Sequence, residues 1–286
     1  MSKNRATETI EQIELSQLHP FPDHPFGVRD DEAMEQTVES IREYGVLVPA
    51  IARPREDGGY ELIAGHRRKH ACELAGRETM PVIVRDIDRN TATIIMVDSN
   101  LQRENILPSE RAKAYKMKLE AIKRQGARHD LTSTQIAQKL SVEKVAEEAG
   151  TSKDQVRRYI RLNELEPELL QMVDEGKIGM TPAVEISYLK TEEQKLLIET
   201  IDSEQATPSF SQAQRMKRLS QEGKLNDDAM LDIMMEQKKP ETWDLKLPMD
   251  KIRKFFPRSY TPQRMEETIM KLLEMWMKKR QRDQQR

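Results

Sequence analysis

Residues 142–162 gather the densest set of chemistry-bearing side chains in this 286-residue chain. Val142, Val145, Ala146 and Ala149 fall at helical spacing, Gly150 permits a tight turn, and Val156, Ile160 and Leu162 anchor a second helix. Thr151 enters the turn and Ser152 suits the cap of the second helix, which leaves its backbone N–H groups and Lys153 near phosphate. Gln155, Arg157, Arg158 and Arg161 are expected to project outward from it. In a major groove Gln reads adenine and Arg reads guanine. From 151 to 162 four basic residues stand against one acidic, a local +3 in a chain of formal net charge -2. This is a helix-turn-helix pattern, and its plain competitor is a helical hairpin with a solvated basic face.

A second set lies at 64–72, where Gly65, His66, Arg67, Arg68, Lys69 and His70 sit at a strand-to-helix turn. Glycine there lets the backbone approach a ligand, and the first helical turn offers unpaired N–H groups to an anion. With Arg67 and Arg68 adjacent, a phosphate-bearing ligand is the natural fit; a solvated basic helix start is the alternative. His66 and His70 share a face, but no carboxylate or third histidine completes a metal set. A third run, Asp98, Ser99, Asn100, Leu101, Gln102, Arg103, Glu104 and Asn105, follows an apolar helical stretch. Its amide and guanidinium groups suit a base, phosphates or hydrated magnesium, or else simply cap a helix end.

The elements that must position these groups are legible in outline. Residues 13–15 read as extended, Pro20, Pro22 and Pro25 impose an irregular stretch, and Met34, Val38, Ile41 and Tyr44 mark a helix stopped at Gly45. Strands are expected at 46–52 and 60–63 around a loop holding Gly58 and Gly59, then a helix over 66–75, then a strand at 80–84. Beyond Asp88 the pattern turns helical: 92–101, then a helix opened by Pro108 and running to about Arg124. A polar linker is expected at 125–130, short helices to Lys190, a loop at 202–211 and a polar helical region at 211–237. Residues 243–247 form a strand candidate, and a last helix starts near Thr261. No repeat of solenoid period is present.

Composition narrows the function. With 47 Lys+Arg against 49 Asp+Glu, polyanion binding must come from local clustering, which excludes a wholly basic binder. The single cysteine, Cys72, excludes an intrachain disulfide framework, a Cys-based zinc site and an iron–sulfur cluster, and implies a reducing compartment. The N-terminal stretch has no apolar signal-like core and no apolar run spans a membrane, so a soluble, cytoplasmic protein without membrane partners is expected.

Three ordered boxes together with the helix-turn-helix resemble ParB-type partition proteins, including the form carried by plasmids and integrative elements, over about Ile10 to Lys190. Residues 46–54 look like the family's first box, Gly65-His66-Arg67-Arg68 like its Gly-Glu-Arg-Arg box, and Ser99-Asn100-Leu101-Gln102-Arg103 like its Glu-Asn-Leu-Gln-Arg box. The resemblance implies an α+β protein: an N-terminal ParB/sulfiredoxin-like nucleotide-binding domain at 1–90, then an all-helical DNA-binding domain at 91–200. Beyond the reach of the resemblance, composition and patterning add a helical linker at 201–240 and a small α/β self-association segment at 241–286. It implies a DNA-segregation adaptor that loads at a palindromic, centromere-like site on double-stranded DNA, associates with the nucleoid or a plasmid, and partners a ParA-type ATPase.

By the same resemblance CTP with Mg2+ binds the N-terminal domain and closes two protomers into a clamp. Gly65, His66, Arg67 and Arg68 would hold the triphosphate, and Asn100, Gln102 and Arg103 would serve magnesium, phosphates and closure, with Asn100 beside the metal. This sequence departs from the boxes at His66 and Ser99, each replacing a family glutamate, so slow or absent CTP hydrolysis is expected. A ParB-like transcription or nucleoid-occlusion regulator is the alternative. An ATP-dependent phosphotransferase of sulfiredoxin type fits poorly, because Gly65 rather than cysteine precedes His66-Arg67.

At the C-terminal end Met265, Ile269, Leu272, Leu273 and Trp276 share a helical face suited either to a homodimer, as palindrome reading requires, or to packing on the chain's own core. In the tail from 278 to 286 five basic residues stand against one acidic, a charge of +4 available for phosphate contact or for solvent.

Overall fold

The computed structural model describes residues 9–101, 103, 106–127, 134–236, 252–257 and 259–284. The chain separates into one unit up to Glu236 and a second from Gln237. In the first, β1 (Ile10–Glu14), β2 (Leu18–Pro20), β3 (Ala50–Pro54), β4 (Tyr60–Ala64) and β5 (Thr79–Val84) form a mixed sheet in the order β1-β5-β3-β4-β2. β1 on β5 and β3 on β4 are antiparallel, whereas β3 on β5 and β2 on β4 are parallel. Gly58 and Gly59 turn the β3–β4 hairpin at φ of 87° and 69°, the left-handed backbone that glycine adopts without strain.

β3 starts at Ala50, four residues later than the periodicity at 46–52 suggested. Pro49 has no N–H for a ladder, Leu47 and Val48 are exposed, and Arg68 draws the carbonyls of Val48 and Pro49 to its own guanidinium. Alternation along β4 sends Leu62 to one face and Ile63 to the other. Leu62 meets Met34, Val38 and Ile41 of α1 (Glu32–Tyr44) and Ala71 and Cys72 of α2 (His66–Leu74). Ile63 meets Ala92, Met96 and Val97 of α3 (Arg89–Leu101) and Ala114 of α4 (Pro108–Ala127).

α4 is the spine of the unit. Its Ala114 belongs to the core under the sheet, its Tyr115, Leu119 and Ile122 pack on Val142, Val145, Ala146 and Val156, and its Ala112 joins a third core further along the chain. The helix continues through Gln125 and Gly126 to Ala127, where a linker was expected. Gln125 donates to Thr91 Oγ1 at 3.1 Å, tying this last turn to α3. The rest of that expected linker, 128–130, lies outside the described residues.

The helical half continues as α5 (Thr134–Glu148), α6 (Lys153–Arg161), a 3-10 turn (Leu162–Glu164), α7 (Pro167–Asp174), α8 (Met180–Ile186) and α9 (Thr191–Glu204). α9 runs into the stretch expected as a loop from 202, and α10 (Phe210–Gln221) opens at its other end. The linker expected at 201–240 is corrected over its described residues. α10 and α11 (Asp227–Met235) bury Met216, Met230 and Ile233 in the same core as Leu162, Leu169 and Leu197. Gln212 fastens the two helices by donating to Ile233 O at 2.7 Å. Their exposed faces are polar, which made the segment read as a connector, but the apolar stripe has a partner.

In the second unit α12 (Pro262–Gln284) forms as a single helix. Met265 is buried, Ile269 half-buried, and Leu272, Leu273 and Trp276 are exposed at 54%, 51% and 56%. The strand candidate at 243–247 lies outside the described residues.

Candidate functional site

The turn from β4 into α2 is built around Gly65, the N-cap of α2, at φ 114° and ψ 17°. A Cβ added there would stand 2.8 Å from the Cβ of Ala50, so both the left-handed backbone and the close approach of β3 require glycine. No side chain caps α2, and its first turn keeps the partial positive charge of its unpaired N–H groups. Arg67 pairs with Asp31 Oδ1 at 3.0 Å, and that guanidinium holds the Asp31 carboxyl below the usual range. Arg68 is folded back on the carbonyls of Val48 and Pro49, the latter at 2.8 Å, and burial lowers its pKa. It therefore shapes the wall of the turn. His70 faces Asp30 at 2.7 Å, away from any metal set.

His66 lies half-buried against a residue that the sequence patterning did not single out. The rings of His66 and His24 stack with centroids 3.9 Å apart at 42°. Burial, then the adjoining His24 and the charges of Arg103 and Lys69, lower the His66 pKa to about 3 and keep its imidazole neutral. His24 is lowered mainly by burial. It sits in the proline-rich loop between buried Phe21 and Phe26, and a histidine flanked by core aromatics was the available signal.

Arg103 lies near the same groups: its charge acts on His24 and His66, burial and the neighbouring Arg67 charge lower its own pKa, and its N–H closes the end of α3 on Asn100 O at 3.0 Å. Asn100 is buried and donates Nδ2 to Met96 O at 2.8 Å, so its amide oxygen is the part available to a ligand or ion. Gln102 lies outside the described residues. The glycine cradle and converging cations fit a polyphosphate. Among the described residues no group of three or more His, Cys, Asp or Glu is placed to hold a metal ion, so magnesium would depend on phosphate oxygens together with Asn100. Cys72 is fully buried and burial raises its thiol pKa, which leaves no reactive thiolate at α2.

The helix-turn-helix forms as its spacing predicts. Val142, Val145, Ala146 and Val156 are buried, Gly150 turns at φ 63°, and Ser152 Oγ accepts the Gln155 N–H at 3.1 Å. Lys153, exposed, pairs with Glu143 at 3.1 Å, and Arg157, also exposed, with Asp154 at 3.2 Å. Thr151 and Gln155 are half-exposed beside them. Arg158 donates to Thr181 Oγ1 at 2.7 Å. Arg161 does not project outward as expected: it donates to Ser187 O at 2.7 Å and covers the Tyr188 ring at 4.2 Å. It fixes α6 to the segment after α8, a contact set by residues too distant in sequence for local spacing to reveal.

One buried cation connects the two regions. The Lys118 side chain on α4 is fully buried and bridges Asp98 of α3 to Glu148 of α5, the latter at 2.7 Å. A polar helix face gave no sign of this burial.

The family model for the ParB N-terminal domain matches residues 1–101, and that for the ParB HTH domain matches 104–209. A nucleoid occlusion protein of Bacillus pumilus is 30% identical over 217 residues, covering 75% of this chain and 69% of that protein. The chain belongs to the ParB family. Stage 0 sporulation protein J of Bacillus subtilis is 35% identical over 173 residues, 60% of this chain; the chain thus spans 55% of that relative's length. A C-terminally truncated ParB of Caulobacter crescentus complexed with CTP-γ-S is 28% identical, at a TM-score of 0.32, covering 66% of this chain and 96% of that one. A ParB N-terminal domain followed by a helical helix-turn-helix domain is thus the architecture of this chain. Among the described residues no helix is long and apolar enough to cross a membrane.

Proposed function

We propose that this ParB-family chain is a nucleotide-gated DNA-partition protein, in which CTP with magnesium at the α2 turn controls a helix-turn-helix that reads a palindromic double-stranded site. The observation that carries the reading is the Gly65 cradle at the uncapped start of α2, with Arg68 packed against it and Arg67 on the same first turn, connected through α3 and α4 to α6 within one unit. A polyphosphate bound more tightly to one arrangement of α3 and α4 than to another would shift the helix-turn-helix with it. In this reading the nucleotide-binding part corresponds to 1–90 and the DNA-binding part to 91–200, with the helices that follow completing its core. Gly65, His66, Arg67, Asn100, Gln102 and Arg103 serve the nucleotide and Arg68 holds the turn. Thr151, Ser152, Lys153, Gln155, Arg157 and Arg158 serve DNA, and Arg161 positions the helix that carries them.

The exposed apolar stripe of α12 supplies a homodimer interface that gives a palindrome its two-fold partner. A ParA-type ATPase is the partner expected for segregation, in the cytoplasm at the nucleoid or a plasmid. A nucleoid-occlusion role is the second reading, favoured by the relative of that name that matches over 69% of its length. Because His66 and Ser99 replace carboxylates, CTP is held with little hydrolysis. Titration with CTP, ATP, GTP and UTP in magnesium, followed by calorimetry and phosphate release with and without DNA, tests this. Selective CTP binding with little release is expected; absence of nucleotide binding overturns it.

A further inference from the structure

His24 carries a feature that the phosphate site does not otherwise use. Its Nδ1 lies 2.8 Å from the Phe26 carbonyl oxygen, which can only accept, so Nδ1 holds the ring proton. Its Nε2 is then a bare lone pair. That atom is buried and, among the described residues, has no hydrogen-bond partner; the same is true of His66 Nε2 in the ring stacked on it. A lone pair cannot bond a phosphoryl oxygen, whereas the protonated nitrogen makes a charge-assisted bond to one. The groups facing the ring are Arg103 after α3, Glu110 and Lys113 of α4, and His66, beside which lies Lys69 of α2. Two of these, Arg103 and Lys113, are permanent cations against one carboxylate, and Lys69 adds a third cation on the His66 side. Without an anion they oppose a further positive charge, and an arriving polyphosphate cancels them.

Resting on the nucleotide reading above, we propose that His24 is a phosphate-binding residue that takes a proton from solvent onto Nε2 as the nucleotide's phosphates bind, with the His66 ring at its back. One N–H bond forms at Nε2 with a proton given up by the buffer acid, and it breaks on release: one proton is consumed per phosphate chain bound and returned when it leaves. Nucleotide affinity then depends on pH through the loop between the two prolines flanking His24, a group separate from the arginines of the box.

Calorimetry of the full chain with CTP and Mg2+ at pH 7, in two buffers of different ionisation enthalpy, is expected to show uptake of up to one proton per nucleotide. His24→Gln is expected to abolish that uptake and to weaken binding. From pH 7 to 8 the wild-type affinity is expected to fall by up to tenfold and that of the variant to stay flat. In the wild type, nitrogen-15 signals of the His24 ring should move from the neutral tautomer to imidazolium on saturation. Inorganic tripolyphosphate, run in parallel, separates the base from the phosphates. Binding of either ligand with no His24-dependent proton uptake overturns this proposal alone. If neither ligand binds, both the proposal and the reading beneath it fall.

Discussion

α2 and α6 are each nine residues long, each begins just after a turn made by a left-handed glycine, and each carries several basic side chains. They differ in where those side chains and helix ends are spent. α2 has no side-chain cap, and its arginines are drawn onto Asp31 and onto the Val48 and Pro49 carbonyls around an open N-terminus. α6 closes its N-terminus with Ser152 and keeps Lys153 and Arg157 exposed along its side, each in a surface ion pair, with Glu143 and Asp154. Similar composition thus yields an uncapped helix end ringed by tethered arginines in one case and a capped helix with exposed basic side chains along its flank in the other. Tertiary neighbours, not the count of charges, decide which.

The sharpest way to break this pairing of two regions is at Lys118, which both depend on. Lys118→Ala leaves Asp98 and Glu148 facing each other without their cation. Because both carboxylates are partly exposed, a loss of about 3 kcal/mol in urea unfolding is expected, at the lower end for a broken buried pair. An unchanged midpoint would show that the two regions are held together elsewhere.

At the pocket, Gly65→Ala forces a side chain into a left-handed backbone and against Ala50. About 2 kcal/mol of destabilisation is expected, together with loss of CTP binding, both from one methyl group. The same methyl at Gly150, where nothing lies within 4 Å, meets only the backbone penalty and should cost less.

Acid should act on the pocket and spare α6. The His66 pKa is lowered from 6.5 to about 3, so between those values the unfolded chain binds the proton that the folded chain refuses. Stability is therefore full above about pH 6.5 and falls by up to about 1.4 kcal/mol per unit as pH drops below it. His66→Gln should flatten that slope in thermal melts taken from pH 7 to 5.

The smallest effects separate two arginines of α6. Arg161→Ala should lower stability by about 1 to 2 kcal/mol through the lost Ser187 and Tyr188 contacts. Arg157→Ala should leave the melting temperature alone and reduce the log–log salt slope of DNA binding by about 0.9, the value of one phosphate contact. Equal effects on stability would erase the distinction drawn between positioning and contacting residues.

What sequence revealed and what it did not follows the same division. Local periodicity sufficed for α1 and its Gly45 stop, for the Ser152 cap and for the buried stripe of α5 and α6, because each is fixed by residues within a few positions. Where a side chain's partner is far along the chain, spacing was silent. The inward turn of Arg161, the burial of Lys118 and the stacking of His24 on His66 belong to this group. Val46 to Val48 carried strand-like residues, yet Pro49 and the hydrogen bonds of Arg68 kept them out of the sheet. In α10 and α11 the exposed polar residues outnumbered the apolar ones that mattered.

The order of the sheet has a consequence for how copies of this chain meet. Its outer strands are β1, which bears Glu11 and Glu14, and β2, only three residues long and ended by Pro20. Charges and a missing N–H make both borders poor templates for another strand. Copies crowded side by side in a cell are therefore discouraged from adding strand to strand, so the sheet can hold its site without seeding aggregation.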